Sequence, residues 1–327
     1  MTRGSLKSFC LLTFAFCLAA THAAVTAEQF PSRPVRLVVT SPPGGANDIQ
    51  SRIIGLRLAE RLGQPVVIDN RGGASGMLAA EIVAKAPADG HTLLGGTNST
   101  FSVNPTLFPK VPYDTLRDFA PVSVTVMTPH VLLVHPALPA KSVRELIALA
   151  KAQPGRLNYA SSGGGSAFHL GMELLKTVAG VQIVHVPFKG SALSVNAMLA
   201  GDVQMMLIGM ATGLPLAKSG RARVLAVANP KRSALAPELP TIAEAGVPGF
   251  GYESWFGVVV PARTPRPVID RLHEGLAAVL AQPDTRERLA AQGYEVISTT
   301  PAQMAAKIRE DTKQWAKVIR DSGARPD

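Results

Sequence analysis

V-R-L-V-V-T-S-P-P-G-G-A-N-D, residues 35–48, is the stretch from which the rest of the chain is read. Its first five residues, apolar apart from Arg36, predict a buried strand, and a helical pattern opens at Ile49. Between them the chain turns through Pro42-Pro43-Gly44-Gly45. A strand turning directly into a helix leaves the first helical N–H groups unbonded. Those donors, with the positive end of the helix dipole, suit an anion. Gly44 and Gly45 let a ligand approach the main chain with no Cβ in the way. The same residues also suit an ordinary strand–helix turn with Asn47 or Asp48 capping the helix. Alone, the stretch leaves both readings open.

Two neighbouring stretches repeat the pattern. The first helix, from about Asp48 to Leu62, carries a stripe of Ile54, Leu58 and Leu62, with Ile49 and Ile53 beside it, and stops at Gly63. A second strand, 65–68, runs into Asn70-Arg71-Gly72-Gly73-Ala74-Ser75-Gly76 and a helix through Lys85; a third, 92–96, delivers Thr97-Asn98-Ser99-Thr100. Strands apolar on both faces and spaced by helices predict parallel strands of a doubly wound α/β sheet, with ligands beyond their carboxyl ends.

Further along, apolar runs at 121–126 and 131–134 are broken by Thr128-Pro129, and Ser142-Val143-Arg144-Glu145 reads as a capping box. Residues 157–160 run into Ser161-Ser162-Gly163-Gly164-Gly165-Ser166, with His169 in the following helix. Strands are expected at 181–186, 203–207, 224–228 and 256–260, and a short helix after Thr241. Helices are expected from about Pro265, Pro283 and Pro301, the last opened by a Thr300–Gln303 capping box. A chain of 327 residues exceeds the usual single core, so two lobes are expected. Residues 28–125 plus 256–327 form lobe 1 and 126–255 an inserted lobe 2. The crossings lie near 121–134 and 256–260, with a cleft between the lobes.

The first 27 residues read as a secretory signal: Arg3 and Lys7, an apolar run at 9–20 too short to span a bilayer, then small residues with cleavage near 23–27. Cys10 and Cys17 both lie inside it, and Phe16 spoils a lipobox at Cys17. The mature chain then carries no disulfide, thiolate metal site or Cys nucleophile. Net charge is +10, in scattered basic residues rather than a basic face, which argues against nucleic acid and is compatible with anionic ligands.

Catalytic patterns are missing. Ser75 and Ser166 each have a glycine two residues before but Met77 and Phe168 two residues after, so neither makes a nucleophile elbow. Phe168 also breaks the dinucleotide spacing of the triple glycine. His130 and His135 bracket a strand and read as positional; His169 and Glu173 share a helix face and read as neighbours rather than metal ligands. No metal, cofactor or catalytic residue is expected. Backbone donors, hydroxyls and few ionisable groups describe binding better than turnover.

The ordered motifs resemble the substrate-binding proteins of tripartite tricarboxylate transporters, the Bug receptors, over essentially the whole mature length. They are P-S-R-P-V-R-L-V-V-T-S-P-P-G-G-A-N-D (31–48), G-Q-P-V-V-I-D-N-R-G-G-A-S-G (63–76) and K-A-P-A-D-G-H-T-L-L (85–94). L-N-Y-A-S-S-G-G-G-S-A-F-H-L (157–170), H-V-P-F-K-G (185–190), A-V-A-N-P-K-R-S (226–233), L-P-T-I-A-E-A-G-V-P-G-F (239–250) and S-W-F-G (254–257) follow. The resemblance implies a two-lobed type II periplasmic binding-protein fold with two crossing (hinge) segments, closing on a small carboxylate. A loop from each lobe grips it: Ser41, Pro43, Gly44, Gly45 and Asp48 on one side, with Gly73 and Thr97; Ser161, Ser162, Gly164, Ser166 and His169 on the other. Phe188 and Lys189 are further candidates, Phe188 as a wall or as core. Asp48 caps its helix or orders its loop. The partner implied is a membrane permease, or alternatively a membrane sensor, with the receptor a monomer in the periplasm. One departure stands out: where relatives often carry an acidic residue after 201–207, this chain has Ile208-Gly209-Met210. That disfavours an amino-acid ligand and points to a mono- or dicarboxylate with an apolar or aromatic body.

Overall fold

A computed structural model describes residues 30–326. The signal segment and both cysteines lie outside the described residues. Chain order begins β1 (Val35–Val39), α1 (Ala46–Leu62), β2 (Val66–Asn70), α2 (Met77–Ala84) and β3 (Thr92–Thr97). Two short helices, α3 (Asn104–Leu107) and α4 (Thr115–Asp118), lead to β4 (Phe119–Thr128). β5 (His130–Val134), α5 (Val143–Ala152), β6 (Asn158–Ser161), α6 (Ala167–Ala179) and β7 (Val184–Pro187) follow, then α7 (Ser191–Ala200), β8 (Met205–Gly209), α8 (Met210–Lys218) and β9 (Arg223–Val227). The chain ends with β10 (Ser254–Pro261), α9 (Arg266–Ala281), α10 (Pro283–Ala291), β11 (Glu295–Val296) and α11 (Pro301–Ser322).

These strands make two sheets, β11-β4-β10-β3-β1-β2 and β7-β6-β8-β5-β9. The fold is mixed α/β and two-lobed. β1 pairs in parallel with β2 and β3, as its apolar faces require. In the second sheet β6 pairs in parallel with β7 and β8, but the expectation of parallel strands fails for β5 there and for β4, β10 and β11 in the first sheet. β10 returns from the second lobe running the opposite way and wedges between β3 and β4, antiparallel to both. β4 and β10 pair from Thr128↔Ser254 to Pro261↔Phe119. The sheet changes over at Pro129 on the outward path and just before Ser254 on the return, so the two crossings lie side by side.

Buried side chains form separate cores on the two sheets. Val35, Leu37, Ile54, Leu58 and Leu272 pack on one face of the first sheet, Val38, Phe101, Trp255 and Ile308 on the other. Leu132, Tyr159, Leu170 and Leu207 lie in a core of the second sheet. The tail expected to belong with the first lobe is shared between lobes. Early in α11, Met304 and Ile308 pack on the first sheet, while Trp315, Val318 and Ile319 join the second lobe's core together with Val103 and Leu107. α11 is also pinned to the return crossing: Lys307 pairs with Glu253, and Trp255 Nε1 donates to Asp311 at 2.6 Å.

Local signals agree with the structure at several helix ends. Thr300 and Gln303 form the full capping box. Ser142 accepts from Glu145 N, but the Glu145 carboxylate takes the Lys141 N–H instead of closing the box. Thr241 and Glu244 exchange both capping bonds, yet no helix follows. The N–H of Ile242 bonds to the Val227 carbonyl and holds the segment beside β9, and Gly246 at φ +129° turns the chain away.

Candidate functional site

The N-termini of five helices face one cleft between the sheets, about 640 Å³ in volume. On the first lobe it is lined by Ser41 and the start of α1 (Ala46, Asn47), by Gly73, Ser75 and Gly76 before α2, and by Thr97, Ser99 and Thr100 after β3. On the second lobe it is lined by 162–168 at the start of α6, by Ser191 at the start of α7, and by Gly209 and Thr212 around the start of α8. The crossings supply Thr128, His130, Ser254 and Phe256. Among the described lining residues none is Lys, Arg, Asp or Glu.

The first loop is held open by its own polar contacts. α1 begins at Ala46 with Gly45 at the cap position and no side-chain cap, so neither Asn47 nor Asp48 has the expected capping role. Ser41 Oγ accepts from Asp48 N at 3.0 Å. Asp48, 3% exposed, accepts from Gly44 N at 2.8 Å and Asn70 Nδ2 at 2.9 Å and pairs with Arg52. Burial opposes its charge, but the Arg52 guanidinium, the Gly44 N–H and the Asn70 amide outweigh it and hold the carboxyl below its ordinary range. Asp48 thus orders the loop from behind and does not line the cleft. Pro43 and Gly44 are exposed but not among the lining residues, and Gly45, closely packed on Ser41, also falls outside the lining.

Asn47 replaces them. It is 2% exposed and donates through Nδ2 to Thr40 Oγ1 (2.9 Å) and the Gly95 carbonyl (2.6 Å), while Oδ1 accepts from Gln50 (2.7 Å). With the amide committed, the open donors on this wall are main-chain N–H groups and hydroxyls. Gly76, at φ +82°, lets the second loop close against the first. A Cβ there would sit 2.7 Å from Thr100 Oγ1 and 2.9 Å from Thr40 Cβ.

On the second lobe Ser162, Gly164 and Ser166 line the cleft, and Ser166 caps α6 by accepting from His169 N at 3.3 Å. Ser161 and His169 do not line it. Ser161, fully buried at the end of β6, meets His185 Nε2 at 2.6 Å and donates to the Gly163 carbonyl at 3.1 Å. His169, 4% exposed, accepts the Gly165 N–H through Nδ1 at 2.9 Å and stacks on His185 with ring centroids 4.0 Å apart. Both support the glycine loop from beneath. Phe188 packs on the second lobe's core and Lys189 is exposed outside the cleft. Ile208 lines the cleft, as its position in place of an acidic residue suggests.

His130, which the sequence marks as positional rather than metal-ligating, lines the cleft floor while 3% exposed. Phe168 and Tyr252 hold its ring edge-on at centroid distances of 5.9 and 5.3 Å. Burial pushes its pKa down to about 4 against a smaller raising effect of the Thr128 carbonyl, so the imidazole is neutral at pH 7. Groups of three or more His, Cys, Asp or Glu side chains placed to hold a metal are absent among the described residues.

A family model described as "Tripartite tricarboxylate transporter family receptor" matches residues 50–324. The chain belongs to that family. BugT of Bordetella pertussis is 37% identical over 308 residues, 94% of this chain and 94% of BugT. Among solved structures, R. palustris Rpa4515 with adipate is 40% identical, with a TM-score of 0.78 over 91% of this chain and 100% of that one. MatC (Rpa3494) from Rhodopseudomonas palustris with bound malate is 34% identical, with a TM-score of 0.73 over 89% of this chain and 100% of that one. This is a family of solute-binding receptors rather than enzymes.

Proposed function

We propose that this chain is an exported, periplasmic receptor that captures a small carboxylate between two closing lobes and presents it to the membrane permease of a tripartite tricarboxylate-type transporter. The observation that carries the reading is the cleft itself. Helix N-termini and hydroxyls from both lobes converge on one space with no charged side chain lining it. Each helix start carries a partial positive charge and unbonded N–H groups, a fitting host for an anion. The adipate- and malate-bound relatives support a carboxylate as that anion. No helix among the described residues is long and apolar enough to cross a membrane.

Closure follows from where the donors sit. Walls on opposite lobes complete the shell around one anion only when the lobes approach, so binding stabilises the closed state. The crossings at Pro129 and Glu253 are the hinge in this reading, with 28–125 plus 256–327 on one side and 126–255 on the other.

The test is a thermal-shift screen of mono-, di- and tricarboxylates beside neutral sugars and metal cations. A ligand that prefers the folded state raises the melting temperature in proportion to its excess over Kd. Carboxylates are expected to raise it. A response to sugars or cations with none to carboxylates would sink the reading, and loss of carboxylate uptake on deletion of the gene tests the permease link.

A further inference from the structure

His130 combines three properties that the carboxylate reading does not use. Its Nδ1 lies 2.8 Å from the Thr128 carbonyl oxygen, which can only accept, so Nδ1 carries the proton. In a neutral imidazole the other nitrogen is then a lone-pair acceptor. Nε2 has no hydrogen-bond partner among the described residues, and it is not one of the polar atoms sealed from solvent. The open space His130 lines is the cleft. The neighbouring Thr128 lines the same floor, and its buried Oγ1 also lacks a partner.

The groups packed on the imidazole leave this assignment undisturbed. Phe168 and Tyr252 present ring edges, and Asn229 Oδ1 accepts the His130 main-chain N–H at 3.3 Å. The Tyr252 phenol is pushed up by burial and stays neutral. No carboxylate, ammonium or guanidinium touches the ring among the described contacts.

We propose that His130 Nε2 is a specificity-determining acceptor, and that the ligand it selects is a hydroxycarboxylate whose hydroxyl donates to Nε2. This rests on the carboxylate reading of the cleft and narrows it. A hydroxyl supplies the donor that a lone-pair acceptor requires. A second carboxylate would set oxygen lone pairs against the Nε2 lone pair unless the imidazole took up a proton. A plain alkyl group would cover Nε2 and leave it unmet, which is how a site built for a hydroxyl rejects its deoxy analogue.

The test is titration calorimetry at pH 7 with matched acids: malate and succinate, lactate and propionate, 3-hydroxybutyrate and butyrate, mandelate and phenylacetate. Within the best-fitting pair, the hydroxy acid is expected to bind about tenfold to hundredfold tighter. His130→Phe keeps the ring contacts and should bring that ratio near one, and His130→Gln, with an amide oxygen as acceptor, should restore part of it. Repeating the wild-type titration in buffers of different ionisation enthalpy needs no variant, and no proton uptake is expected. Equal affinities within every pair, an unchanged ratio in His130→Phe, or uptake of about one proton would each overturn the inference while leaving the carboxylate reading intact. Binding of none of these acids would take both down.

Discussion

Lowering the pH from 7 to 4.5 should weaken this fold through His130 alone by a predictable amount. In the unfolded chain the imidazole titrates near 6.5, whereas in the folded protein burial pushes it down to about 4. Between those values the unfolded state holds the extra proton, so stability falls as pH falls. Above 6.5 the group is neutral in both states and contributes nothing; below about 4 the whole difference is spent, about 3 kcal/mol. The assay is urea unfolding at pH 7, 6, 5 and 4.5 for the wild type and for His130→Phe. The variant loses the bond to Thr128, so its absolute stability is uninformative and the pH slope is the readout. Asp311, whose carboxyl is raised by burial beside Lys307, acts in the opposite sense as pH falls, but it is present in both proteins and cancels. The wild type should lose about 2 kcal/mol more than the variant across this window, which stops short of the folded value. Parallel profiles would refute the claim that this imidazole is buried and neutral.

Other perturbations have separate readouts. Ser166→Ala removes the α6 cap and a cleft hydroxyl; it should cost about 1 kcal/mol in urea unfolding and weaken carboxylate binding about tenfold, and unaltered binding would remove Ser166 from the site. Asp48→Ala frees the Gly44 N–H, Asn70 and Arg52, so stability should drop by about 2 kcal/mol and binding should weaken without any lost ligand contact. Because the Asp48 carboxyl is held low, its contribution is present above pH 3.8 and disappears as pH falls through the depressed value, where mutant and wild type should converge. Gly76→Ala puts a Cβ against Thr100 and Thr40 at a positive φ; a loss of about 2 kcal/mol or more is expected, and an unmoved urea midpoint would count against the close packing of the two loops.

Sequence reading reached the helix starts that carry their own chemistry. Thr300-Pro301 and the stretches ending at Gly76 and Ser166 open helices where expected, and after Gly45 the helix begins at Ala46, two residues ahead of its expected start, because caps, prolines and glycines act within a turn of themselves. The starts of α7 and α8 went unnoticed: Gly190 and Gly209 precede them with no side-chain cap to advertise the boundary. The position of β10 was also hidden, since pairing between residues more than a hundred apart leaves no local trace. Ser161 and His169 flank a loop that lines the cleft but are themselves buried beneath it. Their burial depends on His185, contributed by another strand, which the loop sequence does not mention. The place of His130 in the cleft lining was hidden for the same reason: it exists only because β5 starts where the outward crossing ends.

The shared helix α11 sets a limit on dissection of the molecule. A fragment spanning 130–253 would contain every strand of the second sheet, yet it would lack Trp315, Val318, Ile319, Val103 and Leu107 from its core. Tyr252, whose ring Trp315 meets edge-on at 5.8 Å, would lose that cover and keep the His130 contact. The second lobe is therefore no exchangeable module. Grafting it onto another receptor to transplant ligand preference must carry the last turns of the chain with it, or the recipient inherits an open apolar seam.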